Sequence, residues 1–380
     1  MQVKDNEKIV ISGSGLFVPD EAIANQELVD SFNSFVESEN EKFAEEIELE
    51  LMRQLEKTSA LYIERASGIK NRYVVNKNSI LNIDIMHPLV EDRPDDQQSL
   101  QCEMSVTAIR EALDRAGKYP QDVNALIVAC SNMQRAYPAI AIEVQQALGF
   151  EGYSYDMNVA CSSAPFAIQA ARNAIACGSA DVVVIVNPEI CTGHLNFRDK
   201  ANHFIFGDAC SALIIEKATT CRRDKAFEIT STKLSTKFSN NIRNNFGFLS
   251  SYGRNTRKRS EHLFRQNGRR VLKEVVPFVT NHLENQLQSA QIDRQEIKRL
   301  WLHQANLGMN RRIAEQVLKR DVSENEAPVI LDEYGNTSSA GSVIAFHKFH
   351  DDFVNGDIGI LCAYGAGYST GSVVLKCATL

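Results

Sequence analysis

The sequence predicts a layered α/β protein with buried sheets. Short apolar runs rich in Val and Ile recur between helical stretches, several are apolar at every position rather than alternating, and they continue into the second half of the chain. Continuous apolar strands are covered on both faces, which requires helices on either side of a sheet. With 380 residues and 44% hydrophobic content, the chain can bury a large core and exceeds the usual size of one domain.

The elements follow in order. Lys8–Ile11 is the first strand. Gly13-Ser-Gly15 after it lacks the third glycine of a dinucleotide fingerprint, position 18 being Val, and is set aside as a cofactor signal. From Phe32 to Lys57, Phe35, Val36, Phe43, Ile47, Leu51 and Leu55 recur at three-to-four-residue spacing among Glu and Lys, predicting one or two amphipathic helices lying on the core. His87–Asp96 reads as an acidic loop. Ala125–Cys130, Asp181–Val186, Ala212–Glu216, Glu228–Leu234, Arg299–Leu302, Val329–Asp332, Ile358–Cys362 and Ser372–Lys376 are the further predicted strands. Gly247–Arg259 carries loop signals and a basic cluster, Arg254, Arg257, Lys258 and Arg259.

Chemistry concentrates at four places. Cys161 lies where a β-rich run stops and a helix of small side chains begins, Pro165 to Ala176, with little polar face. A thiol at a helix head meets unpaired N–H groups and aligned peptide dipoles, which favour the thiolate and predict a lowered pKa. Leu300–Asn306 is an apolar strand ending in a polar cluster that contains His303, and Leu331–Gly341 is a turn that carries Asn336 into a small-residue helix. Strand ends in α/β proteins are where active-site groups collect. Alone, a buried Cys is an inert small hydrophobe, a His a satisfied core residue and an Asn-Thr-Ser a helix cap. Together they form a Cys-His-Asn set. The fourth place, Ala363–Gly371, is a glycine-rich turn between two strands, which lets a backbone N–H approach a ligand as an oxyanion hole requires.

The Cys161 helix, His303 in His-Gln-Ala-Asn, Asn336 in Gly-Asn-Thr-Ser and the terminal Gly-Ala-Gly loop resemble, in order and context, β-ketoacyl-acyl-carrier-protein synthase III, a thiolase-like condensing enzyme. Ile9–Pro19, Gly68–Arg72, Ala125–Pro138, Phe206–Asp208 and Gly268–Lys273 share the likeness, so it spans most of the chain. It implies a duplicated βαβαβαββ unit in a five-layered α-β-α-β-α arrangement, with halves at 1–220 and 221–380 and Lys217–Lys225 as their join. Two departures stand out: the family's glycine triplet is Gly365-Ala366-Gly367 here, and segments 26–61 and 82–99 are longer than in compact members.

The resemblance also implies roles. Cys161 is the acyl-accepting nucleophile, and the backbone N–H groups of Cys161 and Ala366 form the oxyanion hole. His303, as a neutral donor, and Asn336 hold the thioester carbonyl of a malonyl substrate while it decarboxylates, with Phe206 keeping the site apolar. Tyr62, Arg65 and Lys200 stand at coenzyme A positions, Lys200 replacing a family Arg. Arg269, Arg270, Lys273, Arg311 and Arg312 are candidates for a basic rim that receives an acidic carrier protein, Gly308 standing where the family has a basic residue. Tyr137 matches the residue that closes the acyl pocket of the partner in a homodimer. The implied reaction is a decarboxylating Claisen condensation of an acyl-CoA starter, medium-chain favoured over acetyl because of the longer segments, with malonyl-acyl-carrier protein, and needs no cofactor.

Three rival functions compete with this one. A papain-like protease also orders Cys, His and Asn, but its nucleophile lies near the mature N-terminus in a Cys-Gly-Ser-Cys-Trp setting absent here. A non-decarboxylating enzyme that joins two acyl-CoA chains head to head uses the same triad and is the closer competitor. A silent scaffold fits poorly with every polar group in place. No run approaches the roughly 18–20 apolar residues of a membrane span, and the polar start lacks an apolar signal core. Nine cysteines without Cys-x-x-Cys spacing read as reduced thiols, with neither a disulfide framework nor a metal site. The net charge of -7 gives no general attraction to nucleic acid. A cytoplasmic enzyme is expected.

Overall fold

The computed structural model describes residues 7–247 and 259–380. In order, the elements are β1 (Ile9–Phe17), β2 (Glu21–Ala24), α1 (Asn25–Lys42), α2 (Ala44–Glu48), α3 (Ala60–Ser67), β3 (Asn71–Val74), α4 (Lys77–Leu81), α5 (Leu100–Ala116), β4 (Ala125–Ala129), α6 (Ile140–Leu148), β5 (Tyr153–Met157), α7 (Ser163–Ala176), β6 (Val182–Glu189) and β7 (Ala209–Lys217). Then come β8 (Lys225–Thr236), β9 (Ile242–Arg243), β10 (Arg265–Gln266), α8 (Gly268–Ala290), β11 (Ile297–Leu302), α9 (Leu307–Leu318), α10 (Leu331–Tyr334), α11 (Ala340–Lys348), β12 (Ile358–Gly365) and β13 (Ser369–Thr379). Of the predicted basic cluster, Arg254, Arg257 and Lys258 lie outside the described residues.

The strands run in the order β11-β12-β13-β8-β1-β7-β6-β4-β5, with the two halves joined where Val10 and Ile11 of β1 pair with Glu228 and Phe227 of β8. The first half reads β1-α5-β4-α6-β5-α7-β6-β7, the expected eight-element unit, with β4 parallel to β5 and β6 and the rest antiparallel. The second half repeats this pairing as β8, α8, β11, α9, α11, β12 and β13, one strand short. The predicted strand at Val329–Asp332 does not form, and Leu331 instead begins α10. Pro328 cannot donate to a ladder, and the Gln304 side chain takes over the pairing: its Oε1 accepts from Ile330 N at 3.1 Å and its Nε2 donates to Pro328 O at 3.3 Å.

Five layers follow from where apolar side chains are buried. The small-residue helix α7 and α11 lie between the two sets of strands, with Ala164, Ala167, Ile168, Ala171, Val343, Ile344 and Phe346 in one core with strand residues of both halves. α5 and α6 cover the outer face of the first half and α8 and α9 that of the second. Gly13 and Gly15 have a packing role: a Cβ there would lie 2.2 and 2.0 Å from the α5 carbonyls of Ala112 and Ala108. Their bareness lets α5 lie close against β1.

The longer segments form a fourth core. Leu28, Val29, Phe32 and Val36 of α1 pack with Ile63, Ile80, Met86, Leu195, Phe197 and Phe204–Phe206. The expected one or two helices form as α1 and α2, with bounds that differ from Phe32–Lys57. The helix starts earlier, at Asn25, only the short α2 follows it, and Leu51 and Leu55 face solvent instead of the core. Arg72, 1% exposed, ties this segment to the rest by donating to Ile23 O, Asn25 Oδ1 and Phe204 O at 3.1, 2.7 and 3.2 Å. With no carboxylate among those partners, its burial pulls the guanidinium pKa down to about 9.

Candidate active site

Both central helices begin at one cavity. β5 ends at Met157, a tight turn with Ala160 at φ 49° follows, and Cys161 sits just ahead of α7. The turn is pinned by Ser163, whose hydroxyl accepts from Val159 N at 2.9 Å and donates to Ala160 O at 2.7 Å. The β12–β13 turn closes over it: Ser162 Oγ donates to Ser369 O and Ser369 Oγ to Ala366 O, at 3.0 and 2.9 Å. A Cβ on Gly365 would come within 2.6 Å of Cys161 Cβ, so only glycine brings this turn against Cys161. The backbone N–H groups of Cys161 and Ala366, named from sequence as the oxyanion pair, both act on the sulfur.

His303 ends β11, its N–H donating to Cys362 O at 2.8 Å, and its ring stands edge-on to Tyr364 at 5.2 Å. Burial lowers its pKa to about 4, partly opposed by the Ser338 backbone, so the ring is neutral at pH 7. Asn336 is gripped through its backbone, N to Ile205 O at 2.9 Å and O from Gly207 N at 3.2 Å. Its Oδ1 accepts from Ser338 N at 2.9 Å. That bond fixes the amide orientation and leaves the Nδ2 donor for a ligand.

A cavity of about 380 Å³ brings Cys161, His303 and Asn336 together with Phe206, Tyr62 and Arg269. Phe206 is buried and packs edge-on against Phe264 at 4.7 Å. The acid after it, Asp208, is structural: it accepts from Thr192 N and Oγ1 at 2.9 and 2.7 Å and from Val75 N at 3.0 Å, and burial raises it to about 6. Tyr62 also borders an open depression with Lys200, whose ammonium pairs with Glu56 at 2.8 Å. Arg65 turns to a separate groove shared with Arg311. Arg270, Lys273 and Arg312 are exposed, on α8 and α9 near the cavity's Arg269 and Met309. Tyr137 is 85% exposed, on a loop held from below by Arg135, which pairs with Glu143 at 2.6 Å. Among the described residues no group of three or more His, Cys, Asp or Glu side chains is placed to hold a metal, and no helix is long and apolar enough to cross a membrane.

The thiol departs from the expectation. Burial pushes Cys161 up to about 11, and the helix head does not reverse this. The Ser338 hydroxyl, donating to Sγ at 3.4 Å, opposes the shift, while the Glu189 carboxylate adds to it. A helix terminus is worth a fraction of a unit to about one and a half units, whereas desolvation can be worth several. Sequence reasoning missed Ser338, which stands in Gly-Asn-Thr-Ser as part of a helix cap. It also missed Glu189, although a lone acid closing the fully buried strand β6 was a legible signal.

Comparison with known proteins agrees with this geometry. Residues 155–237 match the family model for 3-oxoacyl-[acyl-carrier-protein (ACP)] synthase III and residues 287–377 match that for its C-terminal part. A β-ketodecanoyl-[acyl-carrier-protein] synthase of Pseudomonas aeruginosa is 55% identical over 92% of this chain and 99% of its own length. A β-ketoacyl-[acyl-carrier-protein] synthase III of Bartonella tribocorum is 26% identical over 97% of the chain. Among solved structures, 3-oxoacyl-(acyl carrier protein) synthase III of P. aeruginosa PAO1 superimposes with a TM-score of 0.74 at 19% identity, covering 97% of this chain and 98% of that one. OleA of Xanthomonas campestris gives 0.72 at 15%, covering 97% and 99%. The thiolase-like fold, the Cys-His-Asn cavity and the full-length likeness agree, and the chain belongs to the 3-oxoacyl-[acyl-carrier-protein] synthase III family of condensing acyltransferases.

Proposed function

We propose that the enzyme condenses a medium-chain acyl-CoA, octanoyl best, with malonyl-acyl-carrier protein to give a β-ketoacyl-carrier protein, CO2 and CoA. The observation that carries this is the single cavity in which a thiol, a neutral imidazole and an oriented amide converge beside Phe206. The Cys161 thiolate attacks the acyl-CoA carbonyl, two backbone N–H groups hold the oxyanion, and CoA leaves with a proton. The malonyl C–C bond then breaks to release CO2, and His303 and the Asn336 amide stabilise the enolate oxygen. The enolate carbon attacks the acyl carbonyl, and collapse expels the Cys161 thiolate. Asn336 and His303 act here as donors, which suits a ring held neutral by burial. Phe206 and Phe264 exclude water, so loss of the malonyl charge is favoured.

Chain length is supported from two sides. The relative sharing 55% identity is named for a β-ketodecanoyl product, which is an octanoyl starter extended by the two carbons that malonyl leaves behind. The α1 segment that distinguishes this chain packs behind Phe204–Phe206, the wall of the cavity. We assign Tyr62 and Lys200 to the CoA adenine, with Glu56 yielding the ammonium. Arg269 and Arg270 with Arg311 and Arg312 receive the carrier. A homodimer across β5, the terminal strand of the sheet, with Tyr137 entering the partner's pocket, accounts for the exposure of Tyr137, Tyr153 and Tyr155. The test is kcat/KM for acetyl-, hexanoyl-, octanoyl- and decanoyl-CoA with one malonyl-carrier protein. A maximum at octanoyl with CO2 release is expected, since each buried methylene adds about 0.8 kcal/mol, nearly fourfold in affinity. A fall from acetyl onward removes the medium-chain assignment, and product formation without malonyl-carrier protein replaces it with head-to-head condensation.

A further inference from the structure

We infer that Ser338 is a further catalytic residue: its hydroxyl donates a hydrogen bond to the Cys161 sulfur whenever that sulfur is the nucleophile or the leaving group. This rests on Cys161 being the acyl acceptor. Ser338 is 2% exposed and its Oγ lies 3.4 Å from Sγ. It holds φ at 48°, a left-handed conformation that a residue other than glycine adopts only when its surroundings impose it. The surroundings here are specific. Ser338 N is tied to Asn336 Oδ1 at 2.9 Å. Its neighbour Ser339 is tied through N at 3.1 Å and through its hydroxyl to Glu189 Oε1. Glu189 is in turn fixed by Ser131 N at 3.0 Å and Ser131 Oγ at 2.5 Å. A buried carboxylate thus clamps the turn that aims one hydroxyl at the thiol.

The other groups around the sulfur explain why a donor is needed. Glu189 at the end of β6 acts unfavourably on the Cys161 charge, burial withdraws solvent from it, and His303 is neutral. Among the described residues, the Ser338 hydroxyl and the two backbone N–H groups stand against these. The same three donors serve both steps. When Cys161 attacks the acyl-CoA carbonyl, the developing C–S bond takes electron density from a sulfur that Ser338 has held. When the tetrahedral adduct collapses in condensation, the C–S bond breaks and the pair returns to that sulfur. Ser338 keeps its own proton throughout.

The experiment measures alkylation of native enzyme by iodoacetamide across pH, read at Cys161 by peptide mass spectrometry, for the parent, Ser338→Ala and Ser338→Gly. Glycine adopts the left-handed backbone freely, so this variant folds while lacking the hydroxyl. In both variants the rate at neutral pH is expected to drop about tenfold and the midpoint to move to higher pH, the scale of one hydrogen bond to a charged group. Parent rates and an unmoved midpoint in both variants overturn the role of Ser338. A parent enzyme in which Cys161 fails to react with either iodoacetamide or acyl-CoA removes the nucleophile assignment instead, so the two failures are distinguishable.

Discussion

Gly365→Ala places the new methyl at a known position. Its Cβ would stand 2.6 Å from Cys161 Cβ, 3.1 Å from Sγ and 3.4 Å from the Cys161 nitrogen, where ordinary contact begins at 3.4 Å. Cys161 must retreat by about 0.8 Å, or β12 must, and neither is free to move. Cys161 is anchored by α7, and Gly365 is paired with Ser369 in the β12–β13 ladder. The displacement therefore falls on the sulfur and on the N–H of the next residue, Ala366, which separates nucleophile from oxyanion hole. Misplacement on this scale costs about 10²-fold in rate, and overpacking costs about 1–3 kcal/mol in stability. Rapid-quench acylation from octanoyl-CoA, followed by intact mass, measures the first effect, and denaturant unfolding measures the second. Gly193→Ala, where the nearest atom would be 3.9 Å away, is the control and should leave both unchanged. Acylation by Gly365→Ala within about threefold of the parent would refute the placement of this turn.

Asn336→Ala removes two functions at once, the Nδ2 donor and the acceptor of Ser338 N. Condensation should fall by about 10²–10³-fold, and Cys161 alkylation should slow as well; unchanged alkylation would mean that Asn336 does not support Ser338. Lowering pH should destabilise the fold between about 6.5 and 4. His194, His203, His282, His303 and His347 are held near 4 by burial, so the unfolded chain binds more protons across that window. Each such imidazole contributes up to about 1.4 kcal/mol per pH unit, and urea midpoints that stay flat from pH 7 to 5 would contradict this. Charge reversal at Arg270 and Arg312 should raise KM for malonyl-carrier protein with acylation from acyl-CoA unchanged, and the parent should lose carrier affinity as salt rises. Equal loss in both half-reactions would place these residues elsewhere.

The three residues that meet in the candidate site were legible because each closes a locally patterned element. Cys161 heads a helix of small residues, His303 ends an apolar strand, and Asn336 opens a turn into a helix, so residue type and position together marked all three. Properties set by distant neighbours were not legible. The Cys161 thiol is raised by burial between α7 and the β12–β13 turn, which no reading of its helix alone could weigh. Val329 reads as strand by composition, yet Gln304, far away in sequence, supplies the pairing in its place. Leu51 and Leu55 continue a helical period that the backbone abandons after α2. Arg65 and Tyr62 share one helix, but Tyr62 lines the main cavity and Arg65 a separate groove, a division visible only once α9 is packed against that helix.

The most direct measurement is the mass of the intact enzyme after incubation with octanoyl-CoA, before and after malonyl-carrier protein is added. The account predicts one octanoyl group, mapped to Cys161 and absent from Cys161→Ala, that is discharged together with CO2 release when malonyl-carrier protein arrives. Normal turnover by Cys161→Ala, or an acyl group that persists while product forms, would contradict it.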